Sequence, residues 1–163
     1  MTIRIETILE RDVSDADLQR LLMRAYVEGG FTAPERAAEI FSPAAVRARG
    51  EVLCAWPAGW TSPAGVVVLV LPPSPARRLA GDDEAEMHLL ATDPECRRMG
   101  VGRALVDAAM DRAREAGLRR MLLWTQPSMR AARRLYASAG FAREPERDFQ
   151  VDGRRYLVLA ADL

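Results

Sequence analysis

Residues 97–103 combine arginines and glycines at a spacing that can hold a phosphate group. They lie between an apolar run that ends at Thr92 and a helical pattern that begins at Val101. The amino end of a helix presents backbone N–H groups without intrahelical partners and the positive end of the helix dipole, so it stabilises an anion. Glycine has no Cβ, which lets ligand oxygens approach the main chain. The segment predicts a diphosphate-binding loop made of Arg97, Arg98, Met99, Gly100, Val101, Gly102 and Arg103.

Three other classes of glycine-rich loop do not fit this segment. The dinucleotide fingerprint G-x-G-x-x-G needs a third glycine where the chain has Leu105. The P-loop pattern G-x-x-x-x-G-K-[ST] occurs nowhere in the sequence, and a protein-kinase loop would need partner motifs that are absent. The remaining alternative is an ordinary helix start with glycines for tight packing.

A second motif closes a later predicted helix at residues 135–141, Leu-Tyr-Ala-Ser-Ala-Gly-Phe. Together with Asp93-Pro94 and the glycine loop, it resembles the GNAT family of N-acetyltransferases. That family joins a strand ending in D-P to [RQ]-x-x-G-x-[GA] and then to L-Y-x-x-x-G-F. The specific motifs cover roughly residues 85–141, and the amino-terminal half resembles the family only in element order. The resemblance implies a mixed, mostly antiparallel sheet of about six to seven strands, with helices on both faces and a splayed strand pair at the coenzyme site.

The resemblance also implies a reaction, the direct transfer of an acetyl group from acetyl-coenzyme A (acetyl-CoA) to an amine. By position, the family's pantetheine arm would lie along the backbone of Leu90, Ala91 and Thr92. Tyr136 matches the family tyrosine that faces the coenzyme sulfur, where a phenol can donate a hydrogen bond to the leaving thiolate or protonate it. Without that context, Tyr136 would be interpreted as an aromatic residue on the core face of its helix.

Attack on the thioester needs a neutral amine, so some group must receive the ammonium proton, directly or through water. Glu86 and His88 lie two residues apart, and therefore on one face of their strand, just before the glycine loop. Glu86 is the candidate catalytic carboxylate, although a solvated strand edge would explain it equally well. His88 has a simpler interpretation as a hydrogen-bonded core histidine.

Two positions depart from the family pattern. Met129 stands where many relatives have an asparagine, and Trp124 stands where ribosomal-protein N-terminal acetyltransferases have a glutamate base. The sequence therefore favours a small primary amine as acceptor over a peptide or protein amine. Succinyl- and propionyl-CoA are rival donors, and a non-catalytic acyl-CoA sensor or partner-binding domain is the rival class.

Further residues have both a functional and a structural interpretation. An arginine group on the last long helix could neutralise the coenzyme 3′-phosphate or form a solvated face: Arg130, Arg133 and Arg134. Another group could line the acceptor pocket or merely pack: Arg20, Arg24, Tyr26, Trp56 and Trp60.

The composition predicts one globular domain over residues 1–163. At 49% hydrophobic residues, a chain of 163 residues can bury a core without metals or disulfides. Lys+Arg and Asp+Glu are both 23, so neither nucleic acid nor an anionic membrane is an expected partner. Cys54 and Cys96 lack a partner cluster, which predicts no metal site and favours a reducing cytosol. No signal peptide or apolar run of about 18 residues occurs, so we expect a cytoplasmic protein, with a homodimer left open.

The hydrophobic pattern predicts the element order β-α-α-β-β-β-α-β-α-β-β, an α/β (α+β) fold. Strands are expected at residues 3–9, 51–56, 66–71, 86–92, 121–125, 142–151 and 154–160. Helices are expected at residues 15–28, from near Pro34, at 101–116 and at 128–139, and residues 44–49 either extend the second of these or form a short helix of their own. Ser14 is the expected cap of the first helix, and Asp152-Gly153 the expected turn of the last hairpin.

Overall fold

The computed structural model describes residues 1–163 as one sheet of eight strands with five α-helices. In the first half, β1 is Ile3–Thr7, α1 Asp15–Leu22, α2 Pro34–Ile40, α3 Pro43–Arg49, β2 Glu51–Pro57 and β3 Gly65–Val70. In the second half, β4 is Glu84–Thr92, α4 Val101–Glu115, β5 Arg120–Thr125, α5 Arg130–Ser138, β6 Ala142–Arg143, β7 Phe149–Val151 and β8 Arg154–Asp162. A π-helical segment, Met23–Val27, continues α1, and 3-10 turns occur at Pro94–Cys96 and Pro145–Arg147.

The sheet order is β1-β2-β3-β4-β5-β8, with β6 and β7 both paired to β8. Every strand pair is antiparallel except β4 with β5. The parallel pairing of β4 with β5 ends at Glu86 opposite Leu122, after only three residue pairs. The carboxyl-terminal part of β4 therefore has no strand partner on that side, which is the splayed pair that the family resemblance implies.

The central strands β2 and β3 are buried on both faces because helices cover both sides of the sheet. Alternating residues separate two cores. Leu53, Val67 and Leu69 pack with α4 and α5, whereas Val52, Val66 and Val68 pack with α1 and α3. These two apolar layers fix the position of β4, which carries the candidate site between them.

Most predicted elements are confirmed, and the exceptions have local causes. The strand predicted at 142–151 is broken by a 3-10 turn, because Pro145 cannot donate to a strand ladder. The first strand ends at Thr7, whose carbonyl accepts from the N–H groups of Glu10 and Arg11 in a turn. The helix predicted to reach residue 28 changes to π-helical geometry after Leu22. Among the helices, none combines the length and the apolar character needed to cross a membrane.

Candidate active site

The glycine loop enters α4 through a left-handed residue, Gly100, with φ 81° and ψ 7°. A Cβ built on Gly100 would meet no atom within 4 Å, so the loop is open at this point and glycine is needed for its conformation. Arg97 and Arg98 are exposed beside it. The first N–H groups of α4 receive no side-chain cap, which leaves them available to an anion.

Two loop residues have structural contacts of their own. A Cβ on Gly102 would lie 3.1 Å from Leu135 Cδ2, so this glycine allows α4 to approach α5 closely. Arg103 donates to Asp107 at 2.8 Å and to the carbonyl of Ser138 at 3.2 Å. Gly102 therefore fits the alternative that the glycines of this loop serve tight packing. Gly100 has no packing role.

The strand before the loop contains a β-bulge. Two residue steps of β3, from Val66 to Val68, lie opposite three steps of β4, from Ala91 to His88. The extra residue is accommodated at Leu89, which has a positive φ of 57°. The bulge turns the β4 backbone where β5 has already diverged, and Leu90, Ala91 and Thr92 follow it directly.

The π-helical segment after α1 is tied to this part of β4 by two side chains. The Tyr26 hydroxyl donates to the carbonyl oxygen of Leu90 at 2.9 Å. Arg24 Nη1 donates to both carboxylate oxygens of Asp93, at 2.9 and 3.1 Å, and Asp93 is only 3% exposed. These contacts connect the first helix to the start of the glycine loop and hold both ends of the splayed backbone.

A cavity of about 200 Å³ lies beside the splayed strands. Its walls are largely aromatic, and its basic residues are all arginines. The aromatic lining residues are Tyr26, Phe31, Phe41, Trp124, Tyr136, Phe149 and Tyr156. The arginines are Arg36, Arg49, Arg78 and Arg154. None of the glycine-loop residues lines it, so the cavity and the glycine loop are separate features.

Tyr136 lies at this cavity and is 7% exposed. Burial raises the pKa of the Tyr136 phenol well above its ordinary value, and the neighbouring Tyr26 phenol raises it further. The hydroxyl therefore stays protonated at neutral pH and can act as a hydrogen-bond donor. The ring contacts Phe141 edge-on, at 5.9 Å between centroids, so the L-Y-x-x-x-G-F motif positions its own tyrosine.

Glu86 is fully buried and does not line the cavity. One carboxylate oxygen accepts from the backbone N–H groups of Arg78, Leu79 and Ala80, and the other lies 2.6 Å from His88 Nε2. Burial alone would raise the pKa of Glu86, but the hydrogen bonds from His88 and the backbone lower it below its ordinary value. The structure therefore separates the two candidates: His88 reaches the cavity, and Glu86 lies behind it.

His88 is held from three sides. Its Nε2 contacts Glu86, its Nδ1 lies 3.2 Å from Arg49 Nη1, and its ring packs edge-on against Trp124 at 4.6 Å. Because Arg49 can only donate, Nδ1 accepts and Nε2 carries the proton in this arrangement. His88 is thus a hydrogen-bonded, buried histidine, as its simpler interpretation predicts. Its ring also borders the cavity.

The sequence analysis proposed five residues that could line an acceptor pocket, and the structure places one of them at the cavity and four elsewhere. Only Tyr26 lines the cavity. Arg24 pairs with Asp93, Arg20 pairs with Asp17 on the surface, and Trp56 and Trp60 border a different, shallow depression near β1. Many lining residues were not singled out from the sequence, and hairpin β7–β8 supplies three of those that later matter, Phe149, Arg154 and Tyr156. Period-two alternation around the Asp152-Gly153 turn was the one signal that could have placed three of them on a common face.

No group of three or more His, Cys, Asp or Glu side chains is arranged to hold a metal ion. Both cysteines are buried and free. The ionisable side chains that line the cavity are three tyrosine phenols, the His88 imidazole and four guanidinium groups.

A family model described as the acetyltransferase (GNAT) family matches residues 16–141. The chain therefore belongs to the GNAT family of acetyltransferases, whose general reaction is acetyl transfer from acetyl-CoA. The fold agrees. An acetyltransferase from Streptococcus agalactiae superposes with a TM-score of 0.75 at 18% identity, covering 99% of this chain and 98% of that one. A Bacillus subtilis acetyltransferase in complex with CoA superposes with a TM-score of 0.69 at 23% identity, covering 99% of each chain.

Curated relatives align over shorter segments. The mycothiol acetyltransferase of Geodermatophilus obscurus is 40% identical over 58 residues, which is 36% of this chain and 19% of the relative. The ribosomal protein bS18-alanine N-acetyltransferase of Escherichia coli is 39% identical over 59 residues, which is 36% of this chain and 40% of the relative. This chain thus matches less than half the length of either relative, and the two act on different substrates.

Proposed function

We propose that this chain is an N-acetyltransferase that moves an acetyl group from acetyl-CoA to a small primary amine. One observation supports the proposal: β4 leaves its pairing with β5 after Glu86, borders the cavity at His88 together with Tyr136, and then leads through residues 93–100 into the uncapped start of α4. The coenzyme and the acceptor would meet at the bulge from opposite sides.

The coenzyme would be held mainly by backbone groups. The pyrophosphate would bind residues 97–103, where Gly100 gives open access and Arg97 and Arg98 carry charges unpaired by carboxylates. The pantetheine arm would follow Leu90, Ala91 and Thr92 along the β4 edge that β5 leaves uncovered. Backbone N–H groups there would also polarise the thioester carbonyl as charge develops on its oxygen.

The transfer is a direct attack. The amine nitrogen forms a bond to the thioester carbonyl carbon, the C–S bond breaks, and the coenzyme leaves as thiolate or thiol. Tyr136 would donate a hydrogen bond to the departing sulfur. Because burial raises the pKa of its phenol, complete proton transfer to the thiolate is less favourable than in water, and the hydrogen bond is the role that its environment favours.

The proton released by the amine would pass towards His88, which borders the cavity and whose Nδ1 would receive it in place of the hydrogen bond from Arg49. Glu86 does not line the cavity, so it would act through His88, by fixing the orientation of the ring. Glu86 is then a positioning residue. A cytoplasmic setting is part of the proposal, since Cys54 and Cys96 are free thiols.

A peptide or protein amine is the second candidate acceptor, because the bS18-alanine enzyme of Escherichia coli is among the relatives by sequence. Trp124 occupies cavity wall at the position where enzymes of that type carry a glutamate base, which favours the small amine.

An acceptor screen that reads free thiol release from acetyl-, propionyl- and succinyl-CoA tests the proposal. We expect acetyl-CoA binding by calorimetry and thiol release with at least one class of small amine. Binding without thiol release across small amines and amino-terminal peptides would indicate the sensor instead. Absence of binding at millimolar acetyl-CoA would contradict both.

A further inference from the structure

The basic residues of this chain divide into paired and unpaired arginines. All 23 are arginines, and fifteen of them form an ion pair with a carboxylate. The other eight fall into two groups. The first lies on the glycine loop and α5, where coenzyme phosphates are expected: Arg97, Arg98, Arg130, Arg133 and Arg134. The second lies in the acceptor cavity: Arg49, Arg78 and Arg154.

The three cavity arginines are oriented by neutral groups. Arg49 donates to the His88 ring at 3.2 Å. The guanidinium of Arg78 lies over the Phe149 ring, 4.3 Å from its centroid. Arg154 donates to the carbonyl oxygen of Phe31. These contacts fix the guanidinium groups and leave their charges uncompensated.

The cavity itself contains no compensating acid. It is lined by four arginines and by no aspartate or glutamate. The fourth, Arg36, is paired with Asp152 of the last hairpin. Glu86 is occupied behind His88 by three backbone N–H groups. In a chain of zero net charge, this concentrates positive charge where the acceptor would bind.

We infer that the acceptor is a primary amine that also carries an anionic group, a carboxylate or a phosphate, bound by the arginines of the cavity. The inference rests on the proposed function, in that this cavity receives the acceptor. Guanidinium groups bind both kinds of anion through paired N–H···O hydrogen bonds. The aromatic wall formed by Trp124, Phe149 and Tyr156 accommodates the apolar remainder of the molecule.

The same charges also favour the reactive form of the acceptor. A nearby cation disfavours an ammonium group and so lowers the pKa of an amine. The arginines would repel a simple cationic amine, whereas the anionic group of a bifunctional amine would offset that repulsion. The arginines that pair with the anion would select the acceptor, and those left unpaired would assist its deprotonation.

Binding of amine-free probes tests the inference without turnover. Calorimetry with coenzyme A present would compare 3-phenylpropanoate, its neutral amide 3-phenylpropanamide, and phenyl phosphate. We expect at least one anion to bind about tenfold or more tightly than the amide, and the stronger anion identifies the group.

Arg154→Gln and Arg78→Gln are the test variants, and Arg155→Gln is the matched control. Arg155 is the next residue on β8, is exposed, and pairs with Asp148 at 3.3 Å outside the cavity. Each test variant should weaken anion binding by about tenfold and change amide binding by about twofold or less, and the control should change neither. Arg78 is exposed, so its replacement leaves the fold intact even if Arg154→Gln does not.

Equal affinity for the anions and the amide would overturn the inference, as would anion binding that survives in both test variants. Anion binding as expected, with no thiol release for any amine, would support the anion site and contradict acetyl transfer. Thiol release with neutral amines and no preference for anionic ones would support acetyl transfer and contradict the anion site.

Discussion

Oε2 of Glu86 lies 2.6 Å from Nε2 of His88, and this contact places a fully buried carboxylate directly behind the single histidine of the chain. The other oxygen of Glu86 binds the backbone of residues 78–80, which connects this pair to the loop that carries Arg78. The pair therefore supports one wall of the cavity, and the proposed function adds a part in proton transfer.

We expect Glu86→Gln to lower the free energy of unfolding near neutral pH by about 1–3 kcal/mol, because a buried charged hydrogen-bond acceptor is lost. The pKa of Glu86 is lower in the folded protein than its ordinary value of 4.5. The carboxylate thus stabilises the fold above that ordinary value, and the contribution is lost as pH falls through the folded-state pKa. Urea unfolding of both proteins should show a difference at pH 7 that narrows below about pH 4.

Glu115→Gln serves as the control for that experiment, since Glu115 is exposed at the end of α4 and forms no ion pair. Its unfolding free energy should change by about 0.5 kcal/mol or less. If Glu86→Gln matched Glu115→Gln at neutral pH, the buried contacts of Glu86 would contribute little to stability.

Tyr136→Phe should lower kcat and kcat/KM together by about 10- to 1,000-fold, with little change in acetyl-CoA affinity. Only the hydroxyl is removed, and the ring keeps its contact with Phe141. Steady-state kinetics and coenzyme calorimetry on the same preparations measure the two effects separately. A variant with wild-type kcat, under conditions where product release does not limit turnover, would reduce Tyr136 to a packing residue.

Gly100→Glu should abolish detectable coenzyme binding, because it places a carboxylate where the pyrophosphate is expected. The matched control is Gly117→Glu at the opposite end of α4. Gly100 and Gly117 have φ values of 81° and 80°, and a Cβ at either meets no atom within 4 Å. Both variants should therefore lose about 1–2 kcal/mol of stability from the left-handed conformation, and only the first should lose the coenzyme. Coenzyme affinity within about threefold of wild type in Gly100→Glu would refute the phosphate assignment.

Arg24→Gln should destabilise the protein by about 1–3 kcal/mol, because it leaves the buried Asp93 carboxylate without its bidentate partner. Arg20→Gln, one turn earlier, removes a surface pair with Asp17 and should cost about 0.5 kcal/mol or less. Thermal and urea unfolding compare the two. Similar losses of stability in both variants would show that the contact between Arg24 and Asp93 stabilises the protein no more than a surface ion pair does.

The parts of the site that could be predicted from sequence are those made by consecutive residues. The glycine loop and the helix that ends in Gly140-Phe141 are local patterns, so the position of Gly100 was predicted from spacing and that of Tyr136 from the family resemblance of its motif, and their roles stay predictions. The hairpin turn at Asp152-Gly153 is likewise a two-residue signal, and both residues have positive φ.

The cavity beside the splayed strands could not be predicted in the same way, because its residues meet only through tertiary packing. Arg49 and His88 are 39 residues apart in the chain and lie on different elements, yet their side chains are 3.2 Å apart. Among 23 arginines, nothing local distinguishes Arg49 from Arg47, which forms an ordinary surface pair with Asp15. Only the fold shows which arginines lack a carboxylate.

The most direct test of the account is to incubate the protein with isotopically labelled acetyl-CoA and an amine that carries a carboxylate, and to locate the label by mass spectrometry. The account predicts that the acetyl group is found on the amine nitrogen, that free coenzyme thiol appears in equal amount, and that Gly100→Glu yields neither. Binding of the coenzyme without any acetylated amine, across small amines and peptides alike, would contradict acetyl transfer as the function of this chain.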